Sequence, residues 1–227
     1  MSEGAVLVFA RRPELGRVKT RLQSQIGKQL TLALYRAFLT DTLDSARQSG
    51  GAVLLAHTPG PAFAEQKLAD LTIEQRGVTF GERFDSAFED ASNQLPTKTP
   101  LLLIGADTPH ISPHSLREAM SLLGDCDAVI GPNITNGFYL LGFSGHPVPV
   151  SQVFSHQGIE ETVVLDRVLK EAHLDVRHLS PQFDIDSPQD LRRLARLLDT
   201  RQPLAGGWIP KNTRDLLLDR VIVRLTA

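Results

Sequence analysis

Five cations, Arg11, Arg12, Arg17, Lys19 and Arg21, fall within eleven residues that contain a single acid, Glu14. They directly follow an apolar run, Ala5 to Phe9, that reads as a strand. In an open parallel sheet the turn after the first strand is the usual phosphate cradle. Gly16 would let the backbone approach a phosphate closely, Lys19 and Arg21 would neutralise its charge, and Thr20 would donate a hydroxyl. Ala10 and Arg11, at the strand's end, open the same candidate phosphate-binding stretch. The competing reading is a solvated basic loop with no ligand.

A second feature complements the first. Leu101-Leu102-Leu103-Ile104 is fully apolar, stops at Gly105 and then presents one carboxylate, Asp107. Parallel strands end on one edge, so Asp107 is expected beside the basic loop. An acid facing Lys and Arg across a diphosphate is what a hard divalent cation, Mg²⁺ or Mn²⁺, requires. Asp107 is therefore a candidate metal ligand and, with Lys19, a candidate catalytic residue. Its alternative role is to cap the turn into Thr108-Pro109-His110. Asp184 and Asp186 precede a helix start at Ser187-Pro188, a location that favours both carboxylates and anions. Asp184, Asp186 and the helix starting at Ser187 could complete the metal site or bind the far end of a ligand, or the acids could act only as caps. His110, His114 and His156 lack metalloprotease spacing and are expected to be surface or structural residues. The lone cysteine, Cys126, adjoins Ala128-Val129-Ile130 and reads as a small core residue.

Short apolar runs alternating with helical periods must position these groups. The strand candidates are Ala5 to Phe9, Ala52 to Ala56, Leu101 to Ile104, Ala128 to Ile130 and Phe138 to Phe143. Between them Leu30, Leu34 and Phe38, then Phe84, Ala87, Phe88 and Ala91, then Leu116, Ala119, Met120 and Leu123 follow helical spacing, as do Leu191, Leu194, Ala195 and Leu198 later. Ser112-Pro113 and Ser187-Pro188 each place a hydroxyl cap ahead of a proline at the first helical position. The pattern predicts an α/β fold, a three-layer α/β/α sandwich on a mainly parallel sheet. Residues 1–199 form one domain. Residues 200–227, broken by Pro203, Gly206, Gly207 and Pro210, form a C-terminal extension. It ends in an alternating run, Val221 to Leu225, expected to be a strand that pairs with the sheet edge or with a second copy as a homodimer.

The 227 residues are 41% hydrophobic and 22% charged, the composition of a globular protein able to bury a sizeable core. Lys+Arg 24 against Asp+Glu 26 gives a formal net charge of -2, no global field for a nucleic acid. Ser2-Glu3-Gly4 leads straight into the first strand without a basic leader, and no segment approaches the roughly 18 apolar residues of a membrane span. The expectation is a cytoplasmic protein.

Taken in order, Phe9-Ala10-Arg11 with Pro13, Gly16 and Lys19-Thr20-Arg21-Leu22, then Gly105-Ala106-Asp107-Thr108-Pro109, Gly131-Pro132, and Asp184-Ile185-Asp186-Ser187-Pro188-Gln189-Asp190-Leu191 resemble the bacterial DUF2064 family, the transferase 1 group associated with radical-SAM and selenium domains. The likeness spans roughly residues 5–198. It implies the GT-A type of nucleotide-diphospho-sugar transferase fold, shared with the guanylyltransferases of molybdenum-cofactor and coenzyme F420 synthesis. By resemblance Lys19 and Arg21 meet the nucleotide phosphates, Asp107 is the metal-binding acid, Asp186 lies across the same site, and Arg83, within Gly81-Glu82-Arg83-Phe84, contacts a phosphate or the acceptor. The chain departs from the family at Thr135-Asn136-Gly137, where Asp-Gly-Gly is usual, and at Glu160, where relatives tend to carry Trp.

The leading expectation is a metal-dependent glycosyltransferase that takes a nucleotide-diphospho-sugar and an unidentified small-molecule acceptor. One alternative is a nucleotidyltransferase joining an NTP to a small phosphorylated acceptor. Another, motivated by the two departures, is a nucleotide-binding protein without turnover. No general base is identifiable from the sequence.

Overall fold

A computed structural model describes residues 4–155, 160–199 and 203–221. Its strands are β1 (Ala5–Ala10), β2 (Ala52–His57), β3 (Leu71–Glu74), β4 (Leu101–Gly105), β5 (Ala128–Pro132), β6 (Phe138–Phe143) and β7 (Val176–His178). Its helices are α1 (Gln23–Ile26), α2 (Lys28–Ser49), α3 (Phe80–Asn93), α4 (Pro113–Leu122), α5 (Glu161–Glu171), α6 (Pro188–Asp199) and α7 (Lys211–Leu216). The strands form one sheet in the order β3-β2-β1-β4-β6-β5-β7, with β6 alone running against the rest.

Both faces of this sheet are covered, which is why its central strands read as unbroken apolar runs. Side chains alternate across a strand. Accordingly Val6 and Val8 of β1 join a core with Leu39 and Leu43 of α2 and Leu116 and Ala119 of α4. Ala5 and Leu7 face the opposite core, with Phe84, Ala87 and Phe88 of α3 and Val164, Leu165 and Leu169 of α5. The result is the expected three-layer sandwich. Each of the five expected strands forms, and the helical periods coincide with α2, α3, α4 and α6. Ser112 caps α4 by accepting the Ser115 N–H at 3.1 Å. At α6, Ser187 and Asp190 cap reciprocally: Ser187 N–H donates to the Asp190 carboxylate at 2.7 Å, and Asp190 N–H donates to Ser187 Oγ at 3.3 Å.

Two strands escape the sequence pattern. β3 buries only Ile73, and β7 buries none of its three residues fully. Both lie at sheet edges, where one side faces solvent and a short strand carries no apolar run. At the C-terminal end, Val221 was expected to begin a strand. It instead closes a helical turn, Leu217–Val221, buried beside Leu194 and Leu198 of α6. The remainder of that expected strand lies outside the described residues. Among the described residues no helix is long and apolar enough to cross a membrane.

Residues 203–221 pack on the sandwich through buried Leu217 and Val221 and through one buried acid. Asp41 of α2 is 1% exposed and accepts from the Thr213 N–H at 2.6 Å, the Asn212 N–H at 3.2 Å and Asn212 Nδ2 at 2.8 Å. It thereby supplies from α2 the acceptor that the first turn of α7 lacks. Asp41→Ala should lower stability by about 2–3 kcal/mol, since it strands two backbone donors in the interior. The drop would be read as a reduced denaturant midpoint at unchanged slope, and an unchanged midpoint would show that α7 is not held this way.

Candidate active site

The β1–β4 pairing sets the site. The two strands run parallel in register, with Phe9 opposite Gly105, so the basic loop and the Asp107 turn leave the sheet side by side. A cavity of about 650 Å³ opens at this edge. Of the residues singled out from the sequence, Ala10, Arg11, Lys19, Thr20, Arg21, Arg83, Asp107 and Asp186 all line it. Gly16 does not. It turns the loop beneath, with φ +81°, in the left-handed region that glycine adopts without strain. Asp184 also lies outside the lining, half-buried and hydrogen-bonded to Asn133.

At the cavity floor Lys19 Nζ lies 2.7 Å from Asp186 Oδ1 and 3.3 Å from Asp107 Oδ2. The ammonium's side chain is 10% exposed, whereas the two carboxylates are 39% and 44% exposed on the cavity side. Burial alone would pull the Lys19 pKa down, but the two carboxylates outweigh it and raise it. For Asp186 burial pushes upward, and the nearby Lys19 and Arg21 charges reverse this to a net lowering. Lys19 also adopts a left-handed backbone, φ 42° and ψ 49°, at the start of the turn Thr20–Leu22. For a residue with a Cβ this costs about 1–2 kcal/mol, and the surrounding contacts must sustain it.

The backbone around the trio holds these groups in place. Ile185 N–H donates to the Asp107 carbonyl at 3.0 Å, which fixes the Asp186 segment against the Asp107 turn. Phe183, just upstream, is stacked between His110, at 4.3 Å, and the Arg193 guanidinium, at 4.2 Å. His110 is buried in this stack, and burial first, with Arg193 beside it, pulls its pKa down to about 4. Gly105 leaves room for the acid: a Cβ there would lie 2.5 Å from Asp107 Oδ1. On the basic side the Tyr35 hydroxyl, 5% exposed overall, clamps Arg11 by accepting its N–H and donating to its carbonyl, both at 2.9 Å. Arg12 is turned away into an ion pair with Glu14.

Phe80 and Phe154 carried no signal in the sequence, whereas Phe9, Phe84 and Phe138 stood there only within strand, helix and family patterns. Phe9, Phe80, Phe84, Phe138 and Phe154 come from four separate segments and meet ring to ring at 4.8–6.2 Å. Asp85 secures this end by accepting the Val150 and Ser151 N–H groups at 2.8 and 3.0 Å, which ties α3 to the turn bearing Phe154. Glu161, at the start of α5, lines the same cavity. Among the described residues its carboxylate has no hydrogen-bond or ion-pair partner, and burial followed by the Asp184 charge raises its pKa. The Thr135-Asn136-Gly137 departure turns out to support it. Asn136 Oδ1 accepts the Glu161 N–H at 2.8 Å, Thr162 Oγ1 donates to the Gly137 carbonyl, and a Cβ at Gly137 would lie 2.8 Å from Glu161 Oε2. Glu160 does not line the cavity.

The donor set fits a divalent cation in type: two partly exposed carboxylate oxygens converge on one positive centre beside a basic loop. Among the described residues no three His, Cys, Asp or Glu side chains form a ready-made cation cage. Such an ion would draw its other ligands from phosphate oxygens and water, the usual arrangement for Mg²⁺ at nucleotide sites.

Comparison with known proteins agrees with this architecture. The family model "Uncharacterized protein conserved in bacteria (DUF2064)" matches residues 42–159. No curated protein matches the sequence. Among solved structures, a protein from Desulfovibrio desulfuricans G20, provisionally named a nucleotide-diphospho-sugar transferase, is 28% identical with a TM-score of 0.82, over 100% of this chain and 98% of its own. Two further structures share the fold alone. The 4-diphosphocytidyl-2C-methyl-D-erythritol synthase of Anaerococcus prevotii DSM 20548 is 10% identical with a TM-score of 0.56, over 87% of this chain and 97% of its own. The 2-C-methyl-D-erythritol 4-phosphate cytidylyltransferase of Thermus thermophilus is 17% identical with a TM-score of 0.51, over 86% and 99%. The chain thus belongs to the DUF2064 family, has the nucleotide-diphospho-sugar transferase fold, and is of the transferase kind.

Proposed function

We propose that the protein is a glycosyltransferase that binds a nucleotide-diphospho-sugar with Mg²⁺ or Mn²⁺ and passes the sugar to a hydroxyl-bearing acceptor. The observation that carries this reading is the convergence of Lys19, Asp107 and Asp186 in a cavity also lined by a basic loop and by a cluster of aromatic rings. The basic end, with Arg11, Lys19, Thr20 and Arg21, suits the diphosphate. Asp107 and Asp186 would hold the cation, which supplies Lewis-acid neutralisation of the phosphate oxygens when bound.

The aromatic end suits the acceptor, and Glu161 stands there as its base. In the transfer the bond between the anomeric carbon and the phosphate oxygen breaks, its electron pair leaving on the diphosphate. The acceptor oxygen bonds to the anomeric carbon and its proton passes to Glu161. A carboxylate raised by burial accepts that proton more readily than one in water. Lys19 and the arginines offset the charge that grows on the departing diphosphate.

A thermal-shift series with UDP- and GDP-sugars, with and without Mn²⁺, tests the donor half. Metal-dependent stabilisation is expected in the wild type and should vanish in Asp107→Ala. An equal response in the variant would remove Asp107 from the metal site. Product analysis separates the chemistries: free nucleoside diphosphate supports sugar transfer, and pyrophosphate from an NTP would support nucleotidyl transfer instead. Glu161→Gln should lower the rate of sugar transfer by about 10²–10⁴-fold while leaving the donor Kd within about twofold, and an unchanged kcat would dismiss Glu161 as the base.

A further inference from the structure

The position of the Lys19 ammonium limits how a cation can enter. It contacts both carboxylates that would hold a divalent ion, at 2.7 and 3.3 Å, so ammonium and metal cannot share the place between them. A metal entering alone would have to push a nearly buried cation away from its two counter-ions, and apart from Glu161 the remaining charged residues lining the cavity are all cations. Arg21 already stands 3.6 Å from Asp186, and Arg11, Arg17 and Arg83 line the walls. The displaced ammonium would thus move into a basic environment. A phosphate in the cavity changes this balance, because it gives the ammonium an anionic partner within reach of its flexible four-carbon stem.

The left-handed backbone of Lys19 points the same way. It aims the side chain at the two acids from the first residue of a turn whose next two residues, Thr20 and Arg21, also line the cavity. Observed outliers of this kind mark places where contacts over-determine the conformation. Here the over-determining contacts are the two ion pairs.

Resting on the proposed nucleotide and metal site, we infer that Lys19 is a built-in counter-cation that must leave the Asp107–Asp186 pair before a divalent ion can occupy it, so that metal and nucleotide bind cooperatively by exchange of the ammonium onto phosphate. By linkage the nucleotide raises the affinity for metal by the same factor as the metal raises that for nucleotide. A factor in the range of about 5- to 150-fold is ordinary for coupled sites.

The test measures Mn²⁺ binding by calorimetry or by the loss of the free-ion paramagnetic signal, without nucleotide and with saturating UDP or GDP. Wild-type protein should bind Mn²⁺ at least about fivefold more tightly with the nucleotide. Lys19→Met and Lys19→Gln should bind Mn²⁺ without nucleotide more tightly than the wild type does, with the coupling factor reduced towards one. Melting curves of both variants verify that they are folded, and the wild-type coupling factor stands as a measurement independent of either. Wild-type binding of Mn²⁺ that is indifferent to a bound nucleotide would overturn the exchange while leaving the donor site intact. So would variants no tighter than wild type. Failure of the wild type to bind either nucleotide or Mn²⁺ would overturn the exchange together with the reading beneath it.

Discussion

The register of β1 against β4 is the constraint from which the site follows. Because Phe9 stands opposite Gly105, the loops that continue from both strands emerge at one edge and at one height. Lys19 and Asp107, 88 residues apart in the chain, then meet without any long-range element dedicated to joining them. A slip of one residue would send the alternating apolar side chains of β1 to the wrong layer, so the same burial that stabilises the sheet enforces the meeting. The Ile185–Asp107 backbone bond extends the arrangement to Asp186. Core packing brings the two loops to one edge, and the Lys19 ion pairs and the Tyr35 clamp on Arg11 then hold the loop there.

The same constraint explains what could be read from the sequence. Val6, Val8, Leu102 and Ile104 are fully buried within strands covered on both faces and leave an unmistakable apolar run, so the layers and the shared edge were legible. The basic loop and Asp107 were legible because they sit where such strands end. β3 and β7 were not, since edge strands need apolar contact on few positions. α5 was missed for another reason: its buried Val164, Leu165, Val168 and Leu169 include β-branched residues that read equally as strand. With that helix unplaced, Glu161 had no reason to be assigned to the cavity.

The aromatic end illustrates a limit of local pattern. Each of Phe9, Phe80, Phe84, Phe138 and Phe154 looks like an ordinary core residue beside its sequence neighbours, and Phe84 is one. Only the fold shows that they converge, and that Phe80 remains 46% exposed at the cavity. The Asn136–Gly137 turn is similar. Read along the chain it is the loss of a carboxylate, whereas in space it caps α5 and makes room for a carboxylate on the next element. A residue pattern lost at one position and a function supported at another are compatible once the two segments touch.

Charge is distributed as unevenly as the aromatic rings. The chain as a whole carries a formal charge of -2, yet the cavity is lined by Arg11, Arg17, Lys19, Arg21 and Arg83 against Asp107, Glu161 and Asp186. An excess of positive charge is thus concentrated where walls of low polarisability focus the field, and the compensating acids lie elsewhere on the molecule. Within that excess the acids are not scattered. Asp107 and Asp186 face Lys19, and Glu161 lines the same cavity. Net charge and composition are sums over the molecule and carry no trace of this concentration, which exists only because the sheet brings these acids and cations to one edge.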